Sequence, residues 1–149
     1  MKQILAAVLL AVSLLTPGET VPQKNYYDSG ITVRLLENGT ILELTLHDYL
    51  IDVVLQEMPA SFSLEALKAQ AAAARTYTVV LQNAPVSKHG DAQLCDDSNC
   101  CQAYIDREDA QARWGLQAQE FEEKITQAVT QTDGLGVLYQ GEPIQAVFF

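Results

Sequence analysis

Two short stretches of this chain carry residues able to do chemistry. In VVLQEMPAS, Val53 to Ser61, one carboxylate, Glu57, follows an apolar run and precedes Met58-Pro59. Proline steers the residue before it away from helical geometry, so a helix through Val53 and Val54 must stop near Glu57. Carbonyls left unpaired at a helix C-terminus carry partial negative charge and disfavour a carboxylate beside them. Desolvation by Val53, Val54 and Met58 acts in the same direction. A carboxyl group that keeps its proton near neutrality is what a general acid requires. At an exposed helix end the same glutamate is an inconsequential surface residue, so its role turns on where the fold puts it.

The second stretch is HGDAQLCDDSNCC, which sets His89, Cys95, Cys100 and Cys101 within thirteen residues. Three thiols and one imidazole form a complete tetrahedral set for zinc, and a set with no open position reads as structural rather than catalytic. The rival reading is a disulfide from Cys95 to Cys100 or Cys101 in an oxidising compartment, which leaves one odd thiol. Either arrangement ties down a loop with few apolar residues. The other histidine, His47, reads as an exposed residue at a helix start. Trp114, the only tryptophan, reads as a packing anchor, although aromatic faces can also stack on sugar rings.

The totals fit one domain with one core: 149 residues, 48% of them hydrophobic. A net charge of -10 disfavours nucleic acid as a partner, since a phosphate backbone favours a basic face. Asp91, Asp96, Asp97, Asp106, Glu108 and Asp109 crowd together with only Arg107 among them, the pattern of a solvated acidic loop. At the N-terminus, Met1-Lys2 leads an apolar run from Ile4 to Leu15 that Thr16-Pro17-Gly18 ends. This has the form of a signal peptide and is short of the roughly 20 apolar residues of a membrane span. Residues 1–18 are therefore expected to be a signal peptide or N-terminal anchor, 19–29 a linker, and 30–149 an exported, extracytoplasmic domain.

Several elements must position these groups. Asn38-Gly39 between apolar stretches signals a hairpin, since both turn residues tolerate positive φ. Tyr49, Leu50, Val53 and Val54 recur at helical spacing. A second, alanine-rich helix starts near Ser61 or Ser63, either able to cap it, and runs to about Gln82. Residues 90–118 read as irregular. A third helix covers roughly 120–130, with Phe121, Ile125, Ala128 and Val129 on one side, and two strands flank Gln140-Gly141-Glu142. The fold class is α+β: an N-terminal β-hairpin, a helix pair carrying Glu-Met-Pro, a cysteine-rich loop, a third helix and C-terminal strands.

The run LTLHDYLIDVVLQEMPASFSLEALKAQAAAARTYTV, Leu44 to Val79, resembles the signature of the stage II sporulation protein D family, as do CCQAY, AVTQTDGLGVLYQGEPI and the closing QAVFF. The resemblance covers about residues 30–149. It implies a lytic transglycosylase that cuts between N-acetylmuramic acid and N-acetylglucosamine in peptidoglycan and leaves a 1,6-anhydro end. One carboxyl group suffices for that reaction, unlike the carboxylate pairs of ordinary glycosidases, and Glu57 stands where the family's motif has it. No cofactor is needed for the chemistry. The implied partners are glycan strands, a cell-wall amidase and membrane sporulation proteins. Lys68 and Arg75, seven positions apart and on nearly one helix face, with Gln70, are the candidate substrate-binding residues. Equally, Lys68 reads as solvated and Arg75 as holding a buried carboxylate or carbonyl. Tyr77 reads as packing. The spacing of His89, Cys95 and Cys101 is similar to a metal motif of some members, except that Cys100 stands where those often have histidine. Family members continue with a Ser/Gly/Thr-rich stretch past the position of Phe149, so the chain reads as C-terminally truncated. Related domains occur in amidase enhancers, and the alternative function is a non-catalytic glycan-binding module.

Overall fold

The computed structural model describes residues 27–84 and 86–146. The signal-peptide or anchor segment 1–18, most of the 19–29 linker and the closing residues 147–149 lie outside the described residues. Among those described, no helix is long and apolar enough to cross a membrane.

The fold is α+β. Strands β1 (Thr32–Glu37) and β2 (Thr40–Thr45) pair antiparallel, with Glu37 opposite Thr40. The two residues between them, Asn38 and Gly39, have φ of 47° and 79°. Positive φ at both positions gives the backbone twist that matches a right-handed strand pair. Alternation then sends Val33 and Leu35 into the core. A two-residue strand, β3 (Leu94–Cys95), adds to β1 in parallel, giving the order β2-β1-β3. It lies in the stretch expected to be irregular and is too short to show periodicity.

Helix α1 (Leu46–Glu57) is capped by Thr45, whose side chain accepts from the Asp48 N–H. Leu46, Tyr49, Leu50, Val53 and Val54 are fully buried along it. It ends where Pro59 demands: Met58 is extended, at φ -134° and ψ 129°. Helix α2 (Leu64–Asn83) begins at Ser63, which accepts from the Ala66 N–H. Its buried Ala71 and Ala74 carry no bulk that would hold neighbouring elements away.

Helix α3 (Arg107–Trp114) also falls in the stretch expected to be irregular. The Asp106 side chain caps it by accepting from the Asp109 N–H at 2.8 Å. Part of the acidic cluster is thus a cap and a first turn, where negative charge meets the helix N-terminus favourably. Helix α4 (Ala118–Gln131) buries Ile125, Ala128 and Val129. Strands β4 (Leu138–Tyr139) and β5 (Glu142–Pro143) close a small hairpin over Gln140-Gly141. His47 is partly buried rather than exposed, with Nε2 3.1 Å from the Thr130 hydroxyl. Trp114 packs edge-on against Phe121, ring centroids 6.1 Å apart.

Candidate functional site: a helix-end carboxyl group beside a histidine–cysteine loop

Glu57 closes α1 and is half-buried. The backbone N–H of Ala103 donates to its Oε1 at 2.8 Å, and this is its only hydrogen bond among the described residues. One oxygen is thereby fixed to the protein scaffold while Oε2 stays available to a ligand. Ala103 was invisible to sequence reasoning, because it acts through its main chain.

The residues on either side of Ala103 are anchored. Gln102 donates from Nε2 to the Thr78 hydroxyl at 2.9 Å and to the Tyr49 hydroxyl at 3.4 Å. Tyr104 stacks on Tyr49, with centroids 6.1 Å apart and planes 13° off parallel. Its hydroxyl donates to Asp52 Oδ2 at 3.4 Å.

Asp52 is a second carboxyl group of α1 and only 5% exposed. Burial pushes it up to about 7, against the pull of Arg107 and with a push from Asp48. Arg107 sits among three carboxylates: Nε is 3.4 Å from Asp52 and 3.2 Å from Glu122, and Nη2 is 3.3 Å from Asp48. Arg113 reaches Gln56 Oε1 at 2.6 Å. Residues 48, 52 and 56, one turn apart, thus form a polar stripe that α3 reads with two arginines.

The candidate substrate residues separate. The Lys68 ammonium meets Glu65 at 3.0 Å on the surface of α2. Gln70 is partly buried, with no hydrogen-bond partner for its buried Nε2. Arg75 is 3% exposed, and its Nε and Nη2 lie 2.8 and 2.7 Å from Oδ2 of the fully buried Asp28. Its remaining N–H groups reach the carbonyls of Ala71, Val129 and Leu135. No hydrogen bond or ion pair among the described residues joins Lys68, Gln70 or Arg75 to Glu57.

His89, Cys95, Cys100 and Cys101 do converge: one ligand atom from each lies within 4.8 Å of all the others. His89 Nε2 is 3.1 Å from Cys100 Sγ and 3.8 Å from Cys101 Sγ, and the two sulfurs are 3.9 Å apart. Zinc–sulfur bonds of ~2.3 Å at tetrahedral angles place sulfurs about 3.8 Å from one another, so the donors fit a tetrahedral ion. His89 Nδ1 faces the Gln93 carbonyl at 3.3 Å, the outer hydrogen bond that orients a ligating imidazole and turns Nε2 inward. No disulfide joins the three cysteines in this structure. Burial raises the Cys95 and Cys101 thiols. Burial also acts upward on Cys100, but hydrogen bonds from Lys88, His89 and the other cysteines outweigh it and bring that thiol down to about 7. The metal-competent loop leads directly, through Cys101-Gln102, into the amide that holds Glu57.

Fold and site together define a small α+β domain with one anchored, half-open carboxyl group beside a histidine–cysteine loop able to hold a metal. Residues 37–139 match the family described as stage II sporulation protein, and the chain belongs to that family. It is similar to stage II sporulation protein D of Bacillus subtilis (strain 168), 39% identical over 121 residues, covering 80% of this chain and 35% of the relative. Stage II sporulation protein D of Bacillus amyloliquefaciens is 38% identical over 120 residues, with the same shares covered. The chain thus spans about a third of the length of the curated relatives it matches.

Proposed function

We propose that this domain is a lytic transglycosylase of peptidoglycan, with Glu57 as its single acid and base. The observation that carries the reading is the pose of that side chain: Oε1 tied to the Ala103 amide at 2.8 Å, on a residue left half-open at a helix end. The protonated carboxyl group gives its hydrogen to the glycosidic oxygen as the bond from C1 of N-acetylmuramic acid breaks. The carboxylate left behind then takes the proton of the sugar's own C6 hydroxyl while O6 closes on C1. The 1,6-anhydro ring forms, the carboxyl group regains its proton, and no water or second carboxylate takes part.

Lys68 and Gln70 are the side chains of α2 proposed to meet sugar hydroxyl or acetamido groups. Arg75 is assigned to holding Asp28. His89, Cys95, Cys100 and Cys101 are proposed to hold a structural zinc ion that orders the loop before Ala103, contributing to folding and not to bond cleavage. The setting proposed is the extracytoplasmic cell-wall face during sporulation, with glycan strands as substrate and a cell-wall amidase and membrane sporulation proteins as companions.

The test is mass spectrometry of muropeptides after purified sacculi are incubated with wild type and Glu57→Ala. Anhydro-muramyl products are expected from the first and none from the second, with the variant's circular dichroism unchanged. Equal yields reject the role of Glu57. Glycan pulldown without sugar release, together with stimulation of an added amidase, replaces the enzyme by a binding module.

A further inference from the structure

We infer that Gln102 is a positioning residue for Glu57, acting through the backbone N–H of Ala103. The inference rests on the reading of Glu57 as the acid and base. A main-chain donor has no side chain to aim it, so its direction depends on how its neighbours are held. Gln102 is 2% exposed, and its partners dictate which way its amide points. The fully buried Thr78 donates its hydroxyl hydrogen to the Ala74 carbonyl at 2.8 Å. The Thr78 oxygen is therefore left only as an acceptor, so Gln102 must present Nε2 to it, at 2.9 Å.

That orientation leaves Gln102 Oε1 buried without a partner. A buried acceptor without a hydrogen bond is destabilising, whereas an apolar side chain of the same length fills the space without the loss. What the glutamine supplies is a donor that ties residue 102, next to Ala103, to the buried Thr78 of α2 at 2.9 Å. The second anchor, the Tyr49 hydroxyl at 3.4 Å, belongs to the helix that ends in Glu57. The same Tyr49 ring supports Tyr104 on the far side of Ala103. Donor and acceptor are thus referenced to one rigid element, the arrangement that holds a reacting group in place.

Two variants separate positioning from packing. Gln102→Met keeps length and removes the donor, while Thr78→Val removes the acceptor and leaves Gln102 intact. For each, the saturated rate of anhydro-muramyl release is expected to fall roughly 10- to 100-fold, the scale of a small misplacement. KM is expected to change by less than about twofold, because the loss falls on the transition state. The double variant is expected to be no slower than Gln102→Met, since Thr78→Val removes only one of the two hydrogen bonds that Gln102→Met already removes. A substrate-free readout accompanies the kinetics. The Ala103 amide proton, shifted downfield by its hydrogen bond to Glu57 Oε1, is expected to move upfield in Gln102→Met, in Thr78→Val and in Glu57→Ala alike. An unmoved Ala103 resonance overturns the inference, including the case where only the urea midpoint changes. If wild type releases no anhydro product, the reading of Glu57 fails by itself, and the Ala103 resonance alone decides the positioning.

Discussion

Asp52 and Glu57 lie five residues apart on one helix and meet opposite surroundings. Glu57 is half-open and receives a backbone donor. Asp52 is enclosed, and burial raises it from 3.8 to about 7 even though Arg107 lies 3.4 Å away. The consequence for stability has a definite sign. Between those two values the folded chain holds a proton that the unfolded chain has released, so stability falls as pH rises through that window and levels off above about 7. Asp52→Asn is uncharged throughout and removes this contribution. Urea midpoints of wild type and variant, compared at about pH 4.5 and pH 7.5, are expected to shift in the variant's favour at the higher pH. Parallel midpoints at the two pH values contradict the burial argument. The Arg75–Asp28 pair is the reverse case, a buried charge matched by a buried charge at 2.7 Å. Arg75→Met leaves Asp28 unpaired and is expected to cost about 3–5 kcal/mol in urea unfolding. A stable Arg75→Met protein with lost glycan binding instead assigns the guanidinium to substrate.

The loop from Ser87 to Cys101 brings His89, Cys95, Cys100 and Cys101 together and adds few large apolar side chains to the core. Asp91 and Asp97 are exposed, the short 3-10 turn buries only His89, and β3 contributes two buried residues to the sheet. With zinc bound, about one ion per chain is expected from elemental analysis, in keeping with one four-ligand site. Cys101→Ser is expected to lower that content and to speed amide exchange across the loop while α1 keeps its protection. Metal content unchanged by Cys101→Ser removes that residue from the ligand set. The same region marks how far the amino-acid pattern could be read. The Asn38-Gly39 turn, the end of α1 at Glu57 and the Ser63 cap each follow from a local rule, and each is where that rule puts it. That His89, Cys95, Cys100 and Cys101 converge was legible because their donor chemistry and spacing are local too. Helix α3 was not: in REDAQARW only Ala110 is buried, so there is no apolar stripe to count, and its hold on α1 comes from Arg107 and Arg113. Asp52 was hidden for the same reason, a polar stripe that reads as a solvent face until α3 covers it. The Ala103 donor and the Asp28–Arg75 pair join residues far apart in sequence, which periodicity cannot report.

Across the whole molecule, order is concentrated around α1. The sheet, α2, α4 and the 102–104 segment all pack on a helix whose Tyr49, Leu50, Val53 and Val54 are fully buried. The β4–β5 hairpin is the opposite extreme. Leu138 and Tyr139 are exposed, at 59% and 68%. Each of its strands has two residues, and a two-stranded hairpin has little stability of its own. Strand β5 lies against α2, a hydrogen bond from the Val137 N–H to the Thr76 hydroxyl at 2.8 Å tethers the hairpin's base, and one from the Ile144 N–H to the Val137 carbonyl at 3.2 Å joins its two arms. Local opening of such a unit exposes almost no apolar surface that is not already exposed, so its free energy lies far below that of global unfolding. Native-state hydrogen exchange should therefore rank the amides of Leu50 to Val54 slowest, reporting global unfolding, and those of Leu138 to Ile144 among the fastest. Thr76→Val deletes the tether and is expected to speed exchange at Val137 by roughly 5- to 10-fold, the effect of one hydrogen bond, with α1 amides unchanged. If α1 and the hairpin exchanged with a single free energy, the chain would be one cooperative unit. Glu57, anchored on α1, would then share the fate of the hairpin instead of being insulated from it.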